Sequence, residues 1–118
     1  MATVTAQDVV LRALRRLNMV ALGADAPADL YEDALEEYKV FHEWLRQEFG
    51  SRLSWSYDAV DDRYWTHVSA MLAGELSSLF SVGAGSRERA ERGAVMSERR
   101  LREQLARKRT DTTEITYF

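Results

Sequence analysis

The sequence predicts an all-α fold: a small bundle of about four helices followed by an extended C-terminal tail. Three observations carry this. Apolar residues recur at three- and four-residue steps over long stretches, the spacing of one helix face. The breaks between those stretches hold helix-start and helix-stop residues. Strict alternation appears in one short stretch only, around residues 53–57.

Thr5-Ala6-Gln7-Asp8 has the spacing of a capping box, with Asp in place of the usual Glu, and opens a helix to about Asn18 or Val20. Val9, Val10, Ala13, Leu14 and Leu17 form its apolar face. Arg12, Arg15 and Arg16 lie mostly opposite, toward the end where cations suit the helix dipole; they form a solvated face or a set of phosphate contacts. Leu22-Gly23-Ala24-Asp25 is a short connection, which favours antiparallel pairing with the next helix.

The stretch from Asp25 to Gly50 is the helix around which the rest is organised. Pro27 suits a first turn, where a missing amide costs nothing, and Gly50 suits the C′ position. Leu30, Ala34, Tyr38, Phe41, Leu45 and Phe49 make a stripe, widened by Tyr31, Leu35 and Trp44. Other helices of the chain or a neighbouring subunit would cover such a face, and periodicity serves both. The opposite face carries Asp29, Glu32, Asp33, Glu36, Glu37 and Glu43.

Leu53, Trp55 and Tyr57 alternate with Ser54, Ser56 and Asp58, so an extended segment is expected there. Asp61-Asp62 then opens a third helix to about Ser81, where carboxylates favour the positive end of the dipole. Ser69, Ala70, Ala73, Gly74, Ser77 and Ser78 make it the helix expected to be most buried, with Gly74 admitting a close neighbour. Val82-Gly83-Ala84-Gly85 breaks the pattern, and Ser86 caps a fourth helix to about Lys108. Its apolar stripe is thin and its charges abundant, with Glu88–Arg92 and Glu103–Arg107 at the favourable four-residue spacing, so it can project from the bundle. Residues 110–118 are rich in β-branched side chains and end on Tyr117-Phe118, which reads as an extended docking tail or a segment packed back on the bundle. The organisation is a core over 1–85, a charged projecting helix over 86–109 and the tail.

The chain of 118 residues is one domain by length. It has no cysteine, which excludes disulfides and thiolate metal sites. No secretory signal or bilayer-spanning run is visible, so synthesis in the cytoplasm without membrane insertion is expected. Net charge is −3, but acids dominate residues 24–62 and the balance reverses over 87–109. That asymmetry suits head-to-tail association, or simply two solvated faces of opposite sign. His42-Glu43 lacks the second histidine of a zinc-protease helix, and His67 has no local ligand set. The Gly83–Gly85 hinge has no lysine to serve a phosphate. No catalytic residue, metal or cofactor is expected.

The run Asp8-Val9-Val10-Leu11-Arg12-Ala13-Leu14-Arg15-Arg16-Leu17, a short turn, then Tyr31-Glu32-Asp33-Ala34-Leu35-Glu36 through Trp44-Leu45 resembles the head-completion, or head–tail adaptor (connector), proteins of tailed bacteriophages and gene transfer agents. The small-residue third helix, the charged fourth helix and the terminal Tyr117-Phe118 fit the same layout. The resemblance lies in helix order and residue character. It implies a non-enzymatic virion protein at the head–tail junction, a homo-oligomeric ring, expected to be dodecameric, that binds the portal and a tail or stopper protein around packaged DNA. It implies portal contacts at Glu114, Ile115, Thr116, Tyr117 and Phe118, and at Arg99, Arg102 and Arg107. The charge asymmetry would then pair Glu36, Glu37 and Glu43 with Arg87, Arg89 and Arg92 across subunit boundaries. The alternative is a small helical DNA-binding packaging or regulatory protein using Arg12, Arg15 and Arg16 or the fourth helix; a virion-borne cell-wall hydrolase comes third, with no site to name.

Overall fold

The computed structural model describes residues 2–21 and 23–117, with side chains described as far as Ala106. Its elements in order are β1 (Thr3–Val4), α1 (Ala6–Arg16), α2 (Ala28–Phe49), a single 3-10 turn (Gly50–Arg52), β2 (Val60–Asp61), α3 (Trp65–Leu79) and α4 (Ala84–Tyr117). The fold is all-α, with one two-residue strand pair added to four helices.

The capping box at α1 is closed as its spacing implies. Thr5 Oγ1 accepts from the Asp8 amide at 3.3 Å, and Asp8 Oδ2 accepts from the Thr5 amide at 3.2 Å. A second carboxylate arrives from far away: Asp58 Oδ1 accepts from the Ala6 amide at 2.9 Å. The helix ends when Asn18 takes φ 59°, a left-handed conformation that asparagine tolerates better than most residues. Val9, Val10, Ala13 and Leu14 are buried.

α2 begins at Ala28, so Pro27 stands at the N-cap rather than inside the first turn, with ψ 142° holding it extended. Gly50 ends the helix with φ 57° and ψ −133°, a combination closed to residues with a Cβ. Ala34, Tyr38, Phe41, Leu45 and Phe49 all go to the core, as the stripe predicts. The Tyr38 hydroxyl donates to the Tyr57 carbonyl at 2.6 Å, which ties the following loop down; burial pushes this phenol well above its ordinary pKa.

The extended structure falls downstream of its expected place. β2 at 60–61 pairs antiparallel with β1, Thr3 opposite Asp61 and Val4 opposite Val60. Of residues 53–57 only Ser56 bridges, to Ala59 across a tight turn. The alternation there has another cause: Trp55 turns inward and stacks on Tyr64 at 5.2 Å, while Tyr57 stays exposed on its ring but bonded through its carbonyl.

α3 likewise starts three residues later than Asp62. Asp61 is a strand residue, 2% exposed, and its carboxylate holds Arg63, whose Nη2 donates to Oδ2 at 2.8 Å and whose amide donates to Oδ1 at 3.0 Å. The first turn of α3 therefore has no acid, and Tyr64 at the N-cap supplies no side-chain hydrogen bond. From Val68 to Ala73 every residue of α3 is buried, with Leu76 and Ser77. The buried hydroxyls are satisfied locally, Ser69 by the Thr66 carbonyl and Ser77 by that of Gly74. α3 packs against α1, α2 and α4, as expected of the most buried helix.

α4 starts at Ala84, ahead of the expected Ser86 cap, because the Gly83 carbonyl accepts from the Arg87 amide at 2.9 Å. Nor does its described part project: it lies against α3 in the most extensive helix pair of the fold. Two things bring it in. Leu101 and Leu105 enter the core, and Gly74 lets the backbone come so close that a Cβ there would stand 2.5 Å from the Cβ of Ala94. The bounds of α4 run past Thr110 into positions read as an extended segment; side chains from 107 onward, and Phe118 altogether, lie outside the described residues, and the docking-tail reading with them.

The Gly74–Ala94 contact makes a measurable expectation. An alanine at 74 gains about 1 kcal/mol of helix propensity, but overpacking against a helix that cannot retreat costs about 1–3 kcal/mol. Gly74→Ala should therefore lower the urea midpoint, and Gly74→Ala combined with Ala94→Gly should recover part of the loss. A stabilised single variant would contradict the close approach.

Candidate functional site

Two surfaces on the described part of the molecule gather chemistry. The first lies where α2, α3 and α4 meet. Phe41 and Trp44 stack at 5.8 Å, and the Trp44 ring remains 40% exposed. Two adjoining depressions, about 240 and about 190 Å³, share Phe41, Trp44 and Glu75. Val40 and Glu37 bound one of them; Val95 and Glu98 of α4 bound the other. Val40 is 67% exposed and Val95 58%, with Met96 beside Val95 at 51%. The floor is aromatic and the rim acidic. Such an apolar surface left uncovered by its own chain can take a side chain or helix from another, and the carboxylates on its edge select a basic one.

The second surface is basic. Arg12, Arg15 and Arg16 of α1, with Asp8 and Leu11, face Trp65 at the start of α3 across a cavity of about 530 Å³. The Arg12 guanidinium lies 4.6 Å from the Trp65 ring centroid, a cation–π contact worth about 0.5–2 kcal/mol. Burial, and then Arg12, hold the Arg16 guanidinium below its ordinary value. His67, on the same end of α3, is depressed by burial and then by Arg100 and Arg16. The periodicity placed these arginines opposite the core correctly, but gave no sign that Trp65, a core residue by spacing, would be half-buried beneath one of them. The two are 53 positions apart, beyond any local signal.

The residues that the resemblance singles out are distributed as follows. Glu36 and Glu43 are exposed on α2, and Glu37 is half-buried on the rim of the aromatic groove. Arg87 pairs with Glu91 at 3.1 Å and Arg92 with Glu88, each within α4, while Arg89 reaches the Ser86 hydroxyl at 3.4 Å. Arg99 is exposed. Arg102 is engaged inside the chain: it donates to Glu48 at 2.9 Å and to Glu98 at 3.2 Å, and stacks 5.1 Å over Phe49, tying α4 to the end of α2. The side chains of Arg107, Glu114, Ile115, Thr116 and Tyr117, and all of Phe118, lie outside the described residues. Sequence reasoning missed Glu75 and Glu98, since a rim shared by two helices has no spacing of its own.

Compared with known proteins, the chain matches no family model, no curated protein and no solved structure. Among the described residues no group of three or more His, Asp or Glu is gathered as a metal ion would need, and no helix is long and apolar enough to cross a membrane. His42 packs edge-on to Tyr38 and Tyr57 at 6.0 and 6.5 Å, with Nε2 buried and unpartnered, so it is a packing residue.

The two histidines fix a pH dependence. Burial lowers the His42 pKa, helped by Arg46 and opposed by Glu43; burial, Arg100 and Arg16 lower that of His67. Both folded values lie below the 6.5 of the unfolded chain. As pH falls below that value the unfolded chain binds protons that the native state refuses, so this stability is complete above it and is lost on acidification. The urea midpoint should drop from pH 7.5 toward 5, less steeply in His67→Gln; a midpoint that rises over this window would contradict the assignment.

Proposed function

We propose that the chain is a head–tail adaptor: a structural, non-enzymatic virion protein that forms a ring, of twelve subunits, beneath the portal of a filled capsid. There it closes the DNA channel and offers a platform to a tail or stopper protein. The observation that carries the reading is the acid-rimmed aromatic groove. Val40, Trp44 and Val95 lie exposed around it with Met96 beside them, an apolar surface that a neighbouring subunit in a ring would cover. The order of helices, with an arginine-bearing first and a long acidic second, supports it as well.

In this reading Glu36, Glu37 and Glu43 of one subunit meet Arg87, Arg89 and Arg92 of the next. Arg87 and Arg92 exchange exposed partners within their helix for new ones at small cost, since such pairs contribute only about 0.2–0.5 kcal/mol. Portal contact falls to Arg99, Arg107, Glu114, Ile115, Thr116, Tyr117 and Phe118. Arg102 joins them only by giving up Glu48, which would loosen α4 from α2 on docking.

The test is the mass of the purified chain, alone and with candidate portal rings. Ring-sized mass gained with the portal is expected, and Trp44→Glu should prevent it without changing the helical circular dichroism. Deleting Ile115 to Phe118 should abolish portal binding while the bundle stays folded. A chain that ignores every portal yet shifts duplex DNA would transfer the assignment to the DNA-binding class.

A further inference from the structure

We infer that the pocket between α1 and the start of α3 is a phosphate site, taking the phosphoryl oxyanion of a nucleic-acid backbone or of free phosphate. The first argument is the state of its arginines. Four arginines elsewhere pair with carboxylates, Arg63 with Asp61, Arg87 with Glu91, Arg92 with Glu88 and Arg102 with Glu48, while Arg52 and Arg89 donate to a carbonyl and a hydroxyl. In this pocket three guanidiniums gather and none is paired with a carboxylate of the described residues. Among the described residues Asp8 is the one carboxylate on the wall, and its Oδ2 accepts from the amide and hydroxyl of Thr5. Arg12 and Arg16 donate no hydrogen bond to the described protein, and Arg15 makes a single long one, Nη2 to the Ala24 carbonyl at 3.4 Å. The Nε atoms of Arg12 and Arg15 are buried without a partner. A buried donor left without a partner is costly, and an acceptor brought in from outside removes that cost. Three like charges converge on a cavity that holds one carboxylate, Asp8, so the excess of positive charge favours an anion from outside.

Preorganisation is the second argument. Arg12 is already held over Trp65, so part of the side-chain entropy that binding would cost is spent in advance. Trp65 is also the first residue of α3, a helix whose N-terminus has neither a side-chain cap nor an acid in its first turn. The positive end of that dipole therefore adjoins the pocket. The C-terminal end of α1 opposes it with about half a charge, which three guanidiniums outweigh. The cavity, at about 530 Å³, has room for a bare anion or for one joined to a sugar.

The site does not depend on the adaptor reading, since a chain that never meets a portal would still bind phosphate. Two probes separate the sources: inorganic phosphate against chloride at matched ionic strength, read by thermal unfolding, and a short labelled DNA duplex, read by fluorescence anisotropy. Duplex affinity should fall with salt at a log–log slope of about −2 to −3, as two or three phosphate contacts require. Arg12→Gln with Arg16→Gln should weaken binding about tenfold or more by removing two such contacts, whereas Lys39→Gln with Arg46→Gln, an equal loss of charge, should leave it in place. Arg16→Gln alone, at an exposed position that folding does not need, should reduce the slope by about one. Phosphate that stabilises the fold and displaces the duplex assigns the site to the bare anion; duplex bound without that competition assigns it to the backbone. Binding of neither probe, or equal binding by the wild type and the Arg12/Arg16 variants, overturns the proposal.

Discussion

The approach of α4 to α3 at Gly74 and Ala94 is the constraint on which the rest of the described bundle depends. Only a hydrogen at 74 allows the two backbones to come this near. Once they do, Leu101 and Leu105 reach the core, and Arg102 arrives over Phe49 within reach of Glu48. A helix that is mostly charge, and that by composition alone would have little reason to pack, is thereby fixed against α3 and tied to the end of α2. The same approach leaves α2 short of cover. Phe41 tucks beneath Trp44, and beyond them Val40 and Val95 look out over a groove that a more distant α4 would not have formed.

The two candidate surfaces use opposite electrostatic solutions. Around the aromatic groove the carboxylates stand at the edge, Glu75 exposed, Glu37 half-buried and Glu98 half-buried and paired with Arg102, where they cost the fold little. In the pocket at Trp65 the guanidiniums are drawn together, with Arg12 and Arg15 half-buried, which is unfavourable until something neutralises them. An edge of acidic charge guides a partner to an apolar contact. A convergence of desolvated charge is itself the contact. The first arrangement fits a protein partner and the second fits a small or polymeric anion.

What could be read from the sequence was what local chemistry determines. Thr5 and Asp8 announce a capping box because their spacing is the geometry of the box. Gly50 announces a stop because no other residue holds its φ and ψ. Gly74 announced a close neighbour, though not that Ala94 would be it. What could not be read was produced by pairs remote in the chain. Strands of two residues have no period, so Val4 opposite Val60 leaves no trace. Asp61 was assigned to a helix dipole and instead holds Arg63, because the strand pairing around it displaces the helix start to Trp65. Half of each candidate surface was visible: the stripe holding Phe41 and Trp44, and the arginine row of α1. The other halves, Glu75 with Glu98 and Trp65, come from different helices and needed the tertiary structure.

The first helix is fastened from the middle of the chain. Asp58 takes the amide at its start, and β2 takes the strand just before it, while Tyr38 holds the intervening loop in place through Tyr57. During synthesis α1 and all of α2 therefore precede Tyr57, Asp58 and β2, which lock them. The opening third of the protein stays an unfinished hairpin until the segment through Asp61 has been made, and folding has to wait for contacts more than fifty residues apart. A chain cut short before that point would lack the contacts that hold the first helix, which at 11 residues is too short to persist alone.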